Sequence, residues 1–418
     1  MGESCLQENP ENPNKARSLT LGFAQQITQQ YLQAWKANRS WVLKDVLAPF
    51  LATRLGLLLV GWFSQYLALD LSFPYWDIQT KPWLVTTHRL LDIWARWDTS
   101  WYLQIINSGY HAANSQAGGQ SSLAFFPLFP YLVKLFAYLI PAPFRSQSGI
   151  LVVGLLLTNL FLLGSLVILF QLVRTILGED APARRTIWYV LIFPTSFFLS
   201  SFLSESTFLF FSLAAFYLAE KQHWTSCGLM GFFAALSRPV GVLMVVPLAW
   251  VYLRSIHFRW RLVRWTAGWL LLIPLGVCLY LAAVYPITGD FWAPINFQAA
   301  WSRTLSSPWQ TLLQPAGLDP TLRLLQQLTA LGTFGLLIYT FWKIPNLAYG
   351  LYVGLLILLP LLSGTLISFS RFVLVAFPLF ISLGLLGKRP NVDRLLTIIF
   401  LMLQALLMAG WSQFYPIY

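Results

Sequence analysis

Apolar runs, separated only by short polar or basic stretches, follow one another along most of the chain. That pattern constrains the fold more than any motif does. A run of about 20 apolar residues matches the hydrocarbon thickness of a bilayer. Such runs lie near 46–69, 149–173, 186–203, 205–220, 224–237, 240–253, 265–285, 326–342, 346–367, 371–387 and 394–415. The chain therefore reads as an all-α polytopic membrane protein. Composition agrees: of 418 residues, 57% are hydrophobic and 10% charged, against about 25% charged in soluble domains. The 19 tryptophans and 17 tyrosines suit the aromatic belts at membrane–water interfaces.

A further run, 123–140, carries two prolines and Lys134, which make it a poor regular span. Topology decides how to treat it. With the basic N-terminus in the cytoplasm and 123–140 re-entrant or interfacial, Arg174, Arg184, Arg185, Lys221, Arg254 to Arg264, Lys343 and Lys388 all fall inside, as the positive-inside rule requires. If 123–140 crosses, those clusters flip outside. The expectation is about eleven spans, with domain boundaries at 1–44 and 45–418. In the first segment Leu19, Phe23, Ile27 and Tyr31 recur every fourth residue, which predicts an amphipathic helix on the cytoplasmic face. The first run is too long for a cleaved signal peptide and reads as a retained anchor. The long loop 70–122, the turns 203–206, 236–241 and 368–371, and the loop 286–325 then share the outer side.

The formal charge of +12 does not indicate nucleic acid, because the basic residues are scattered at the ends of apolar runs. Three cysteines (Cys5, Cys227 and Cys278) give no CxxC pair or disulfide framework. The four histidines are isolated, and no two acids form a D-x-D pair. No P-loop or G-x-S-x-G elbow appears. Neither a metal nor a cofactor is expected.

Few charged residues remain that could do chemistry on the outer side. Asp98 precedes "TSWYLQIINSG", a short amphipathic helix ended by Gly109. Asp98 either caps this helix or serves as a general base at the water–lipid boundary. Trp97 and Tyr102 beside it either anchor the loop or stack on a sugar. Glu205, in "FLSESTF", is explained equally well by Ser204 capping with an acid in the first turn or by a functional acid at the interface. Arg238, in "ALSRPVG", stands in an apolar stretch where Ser237 can cap and Pro239 can start a helix, a ready phosphate site. Arg371, in "LISFSRF", has the same character. Asp290 follows a glycine in a turn, where aspartate is common. A carboxylate with two arginines suits transfer from a sugar on a lipid phosphate. That leaving group needs charge stabilisation rather than a proton, and one base activates the acceptor hydroxyl.

The chain also resembles a known family. "RWDTSWYLQIINSGY" (96–110), "AFFPLFPYLV" (124–133), "FPTSFFLSSFLSES" (193–206), "AALSRPVG" (234–241), "TGDFWAPINFQAAW" (288–301) and "SRFVLVAFPLF" (370–380) are similar, in order, to segments of the PIG-V-like mannosyltransferases. These are GT-C glycosyltransferases related to the second mannosyltransferase of GPI-anchor assembly. The resemblance implies a GT-C helix bundle with its site under the first large outer loop. It implies inverting, metal-independent transfer, mannose first among the sugars, from a polyprenyl-phosphate donor to a lipid or glycan acceptor amid membrane lipids. Asp98 looks like the family's catalytic acid, with Glu205 beside it; Arg238 and Arg371 would bind the donor phosphate, and Trp97, Tyr102, Ser204 and Asp290 would line the substrate site. The sequence departs from the pattern after Ile105 and at Phe372, where tyrosine is expected; neither departure touches the proposed charges. The expected setting is a bacterial inner membrane with the site facing the periplasm, or the endoplasmic reticulum in a eukaryote. The rival readings are a flippase or transporter of lipid-linked saccharides, a scaffold subunit, and a GT-C protein O-glycosyltransferase.

Overall fold

A computed structural model describes residues 41–67, 85–111, 119–141 and 145–417. The amphipathic helix expected around residues 19–31 lies outside the described residues, as does much of the loop 70–122. Among the described residues every regular element is helical. Lipid offers the backbone no hydrogen-bonding water, so each span satisfies its own polar groups.

The first span, Val42–Tyr66, opens with a π-helical turn and continues as α1 (Ala48–Tyr66). After a polar corner come α2 (Thr99–Ser108) and α3 (Leu128–Leu139). Helix α3, with 12 residues, is only about 18 Å long, short of a bilayer core of about 30 Å. The longest helix, α4 (Gln147–Leu177), starts where Ser146 Oγ accepts from Gly149 N and stops at left-handed Gly178. Helices α5 (Asp180–Ile192), α6 (Glu205–Glu220), α7 (Trp224–Ser237), α8 (Val245–Ser255) and α9 (Leu272–Thr288) follow. The last group comprises α10 (Pro320–Lys343), α11 (Leu347–Leu361), α12 (Phe369–Val375), α13 (Phe377–Leu386) and α14 (Pro390–Ser412). Helix α6 packs between α4 and α7, α9 lies on α7, α13 on α5, and α14 on α1.

Five described segments are long and apolar enough to cross a membrane: Val42–Tyr66, Gln147–Leu177, Trp265–Thr288, Pro320–Lys343 and Pro390–Ser412. The bent pair α12 and α13 makes a sixth if taken as one span. Several apolar runs are thus not the uniform helices the sequence pattern predicted. The run 186–203 is helical only to Ile192. Phe193, preceding Pro194, is pushed to extended ψ 138, and a short 3-10 turn at Ser196–Leu199 follows. The run 371–387 breaks at Ala376 with a bend of 74°. Pro378 has no N–H to donate and its ring would clash with the carbonyl one turn back. The run 240–253 begins as a 3-10 segment, Pro239–Met244, before α8. Conversely, α10 starts at Pro320, inside the expected outer loop, because Asp319 caps it by accepting from Thr321 N and Leu322 N.

The break after α5 exposes backbone carbonyls inside the bundle. Arg54 of α1 meets them: its guanidinium donates to Leu191 O at 2.8 Å, Ser196 O at 3.0 Å and Ser196 Oγ at 3.0 Å. Gln404 of α14 donates to Leu191 O and Ser196 Oγ as well. The helix end is thereby satisfied by side chains from two other helices.

Candidate active site

Five segments that the sequence reading puts on one face meet at one cavity of about 710 Å³. That volume falls within the usual range for small-molecule sites, about 300–1,000 Å³. The corner before α2 is fixed first. Arg96 is fully buried, pairs with Asp92 at 2.6 Å and lies over the Phe414 ring at 3.9 Å. Asp92 in turn accepts from Val85 N at 2.8 Å. These contacts tie the 92–98 corner to the end of α14 and aim Asp98 into the cavity.

Asp98 occupies the N-cap position of α2 but makes no side-chain cap bond. Its Oδ2 instead accepts from Arg371 Nη1 at 2.5 Å. Glu205 likewise begins α6 without help from the Ser204 side chain, whose Oγ accepts from Tyr102 OH at 2.9 Å. Glu205 Oε1 meets Arg371 Nε at 2.5 Å and Arg238 Nη1 at 2.9 Å. Ser237, expected to cap the segment after Pro239, closes α7 instead and donates to Phe233 O. The two carboxylates differ in access: the Asp98 side chain is 22% exposed and Glu205 0%. Asp98, Arg238 and Arg371 line the cavity, while Glu205 lies behind the arginines. Glu205 Oε2 has no hydrogen-bond partner among the described residues.

An aromatic wall lines the same cavity. Trp101 stacks on Phe125 at 6.0 Å, and Trp301 packs edge-on against both. Trp97, Tyr102 and Ser204 also line the cavity. Asp290 does not. It accepts from Trp292 N and Asn296 Nδ2, both at 2.8 Å, and so holds a short helix, Ala293–Asn296, away from the charges. The structure places Asp290, expected in the substrate site, outside this cavity, with its carboxylate engaged by its own loop.

One cavity charge was missed from the sequence. Arg303 stands in a polar loop just after the 288–301 motif and outside every matching segment, where an arginine draws no notice. It lines the cavity, and burial, then the charges of Arg238 and Arg371, push its guanidinium down to about 10. Phe372 corrects a second expectation. Its ring faces both Arg238 at 5.5 Å and Arg303 at 5.9 Å, so this departure does touch the charges. Trp411 and Phe414 also line the cavity. Among the described residues, seven non-glycine residues have positive φ, and four of them (Trp97, Ser302, Ser368 and Phe414) line this cavity. Such backbone costs about 1–3 kcal/mol per residue and concentrates at functional sites.

The fold and site define a multi-helix membrane protein in which Asp98, Arg238 and Arg371 meet at one cavity, with Glu205 buried behind the arginines. The fold is similar to that of ArnT from Cupriavidus metallidurans, solved bound to undecaprenyl phosphate: TM-score 0.51, 14% identity, covering 86% of this chain and 62% of that one. The apo oligosaccharyltransferase of Archaeoglobus fulgidus also matches, with TM-score 0.46 and 11% identity over 88% of this chain and 56% of that one. The chain thus spans less than two thirds of the length of these solved proteins. No curated protein matches it. The model for mannosyltransferase (PIG-V) matches residues 59–284, more than half of the chain. The chain belongs to that family, and its long apolar helices make it an integral, multi-pass membrane protein.

Proposed function

We propose that the protein transfers a hexose, mannose first among candidates, from a polyprenyl-phosphate sugar to a lipid-linked or cell-envelope acceptor on the outer face, with inversion. The observation that carries this reading is the access difference between the carboxylates. Asp98 faces the cavity, and Glu205 is sealed behind two arginines. One reachable carboxylate amid guanidinium groups suits a reaction that needs a base but no acid.

In this reading Asp98 takes the proton of the acceptor hydroxyl. The acceptor oxygen bonds to C1 of the sugar as the C1–O bond to phosphate breaks. The electron pair leaves on the lipid phosphate, whose growing negative charge Arg238 and Arg371 stabilise. A single displacement inverts the anomeric centre. The aromatic wall of Trp101, Phe125 and Trp301 offers faces for the sugar ring. Glu205 serves by holding both arginines in place. That ArnT, of similar fold, was solved with undecaprenyl phosphate supports a lipid phosphate as the donor's carrier.

A flippase would string its charges along a path open to both sides; here they gather around one cavity. The test is incubation of membranes holding the chain with radiolabelled polyprenyl-phosphate mannose. Label in a lipid or glycan product, lost in Asp98→Asn, is expected. Label in protein would move the acceptor class to polypeptide. Full turnover by Asp98→Asn would remove the assigned base.

A further inference from the structure

We propose that Arg303 is the residue that recognises the charge of the donor's phosphate, a role that rests on the lipid-phosphate reading above. The argument begins with charge. Glu205 and Asp98 are already engaged by Arg238 and Arg371 at 2.5–2.9 Å. Those four groups sum to zero. Arg303 adds one positive charge to the same cavity and, among the described residues, forms no ion pair. Its Nε is shut off from solvent and has no hydrogen-bond partner among the described residues. An enclosed N–H without an acceptor is costly and marks a place where an acceptor belongs. A sugar phosphodiester brings one negative charge and acceptor oxygens.

The position is built rather than accidental. The loop after Arg303 is pinned to the turn after α11: Thr304 N donates to Ser363 O at 2.9 Å and Ser306 N to Leu362 O at 3.0 Å. At Gly364 (φ 73) a Cβ would stand 2.8 Å from Thr304 O, so only glycine permits this approach. Left-handed Ser302 (φ 59) then turns the chain at Arg303. The same turn after α11 leads on to Ser368 and Arg371. One backbone junction thus places Arg303 and Arg371 together, with the Phe372 ring facing Arg303 and Arg238.

The experiment uses the full chain in nanodiscs and measures equilibrium binding of three probes: a polyprenyl monophosphate, the corresponding polyprenol, and inorganic phosphate. Tryptophan fluorescence serves as the signal, since Trp97, Trp101 and Trp301 line the cavity. The expected result is that Arg303→Gln weakens polyprenyl phosphate binding tenfold or more and leaves polyprenol binding unchanged. Arg303→Lys, which keeps the charge, should lose less and shows that the site still folds. If Arg303→Gln binds polyprenyl phosphate at wild-type strength, this assignment fails and the donor reading stands. If the wild type does not prefer polyprenyl phosphate to polyprenol, or binds inorganic phosphate equally tightly, the donor reading fails and this inference with it.

Discussion

Asp98 and Arg371 are 273 residues apart in the chain, yet a hydrogen bond of 2.5 Å joins them. The same guanidinium reaches Glu205 with its Nε. Arg371 therefore couples a carboxylate that opens to the cavity with one that is sealed in the bundle. The first lines the cavity; the second, fully buried, pairs with both Arg238 and Arg371.

Replacing Asp98 by asparagine separates chemistry from binding. The amide oxygen can still accept from Arg371, so the cavity keeps its shape. Loss of the base should lower kcat by about 10²–10⁴-fold, with donor KM within threefold of wild type. Transfer assays at saturating and limiting donor read the two parameters.

Glu205→Gln acts on stability instead. It leaves Arg238 and Arg371 without the anion they share. Breaking a buried pair by removing one partner costs about 3–5 kcal/mol. A lower melting temperature in lipid is expected, with Glu205→Asp falling between. An unchanged melting temperature would mean that Glu205 does not hold the two arginines.

Phe372 presents its ring to Arg238 and Arg303. A desolvated cation–π contact is worth up to about 2 kcal/mol. Phe372→Leu should therefore raise donor KM by about 5- to 30-fold, while Phe372→Tyr stays near wild type. Equal effects of the two changes would assign Phe372 to packing alone.

Gly364→Ala tests the junction that carries Arg303. Its positive φ and the 2.8 Å approach to Thr304 O leave no room for a methyl group. Donor KM should rise while the spans remain folded. Gly354→Ala in α11 is the control: its Cβ meets nothing within 4 Å, and alanine favours a helix.

Arg54→Met should weaken the bundle and spare the chemistry. The carbonyls of Leu191 and Ser196 lose the donor that α1 supplies. Leu191 O keeps Gln404 as a donor, so the cost falls on Ser196 O, about 1–3 kcal/mol for one unsatisfied buried group. Lower thermal stability with unchanged donor KM is the expected pair of readings; a KM shift would place Arg54 in communication with the cavity.

The helical membrane class was legible from the sequence because it follows from local facts. Apolar length matches bilayer thickness, and lipid compels each segment to satisfy its own backbone. The scarcity of acids, 15 in all, also made Asp98 and Glu205 stand out, as Arg238 and Arg371 did by lying in apolar surroundings. The breaks at Pro194 and Ala376 were harder to read. Proline marks where a helix is stressed; whether it ends there depends on donors from elsewhere, and Arg54 and Gln404 supply them after α5.

The tertiary structure alone decided which of these residues share a cavity. Capping explained Asp98 and Glu205 from their neighbours, yet Asp98 makes no cap bond and both carboxylates are claimed by Arg371, from a segment 273 and 166 residues away. Asp290 resembled them in sequence and is held by its own turn. Arg303 resembled nothing and lines the same cavity. Hydrophobic pattern and turn chemistry act over a few residues and are written in order along the chain. Electrostatic pairing in a low-dielectric interior acts between whatever the packed helices bring together, so it becomes visible only once they have packed.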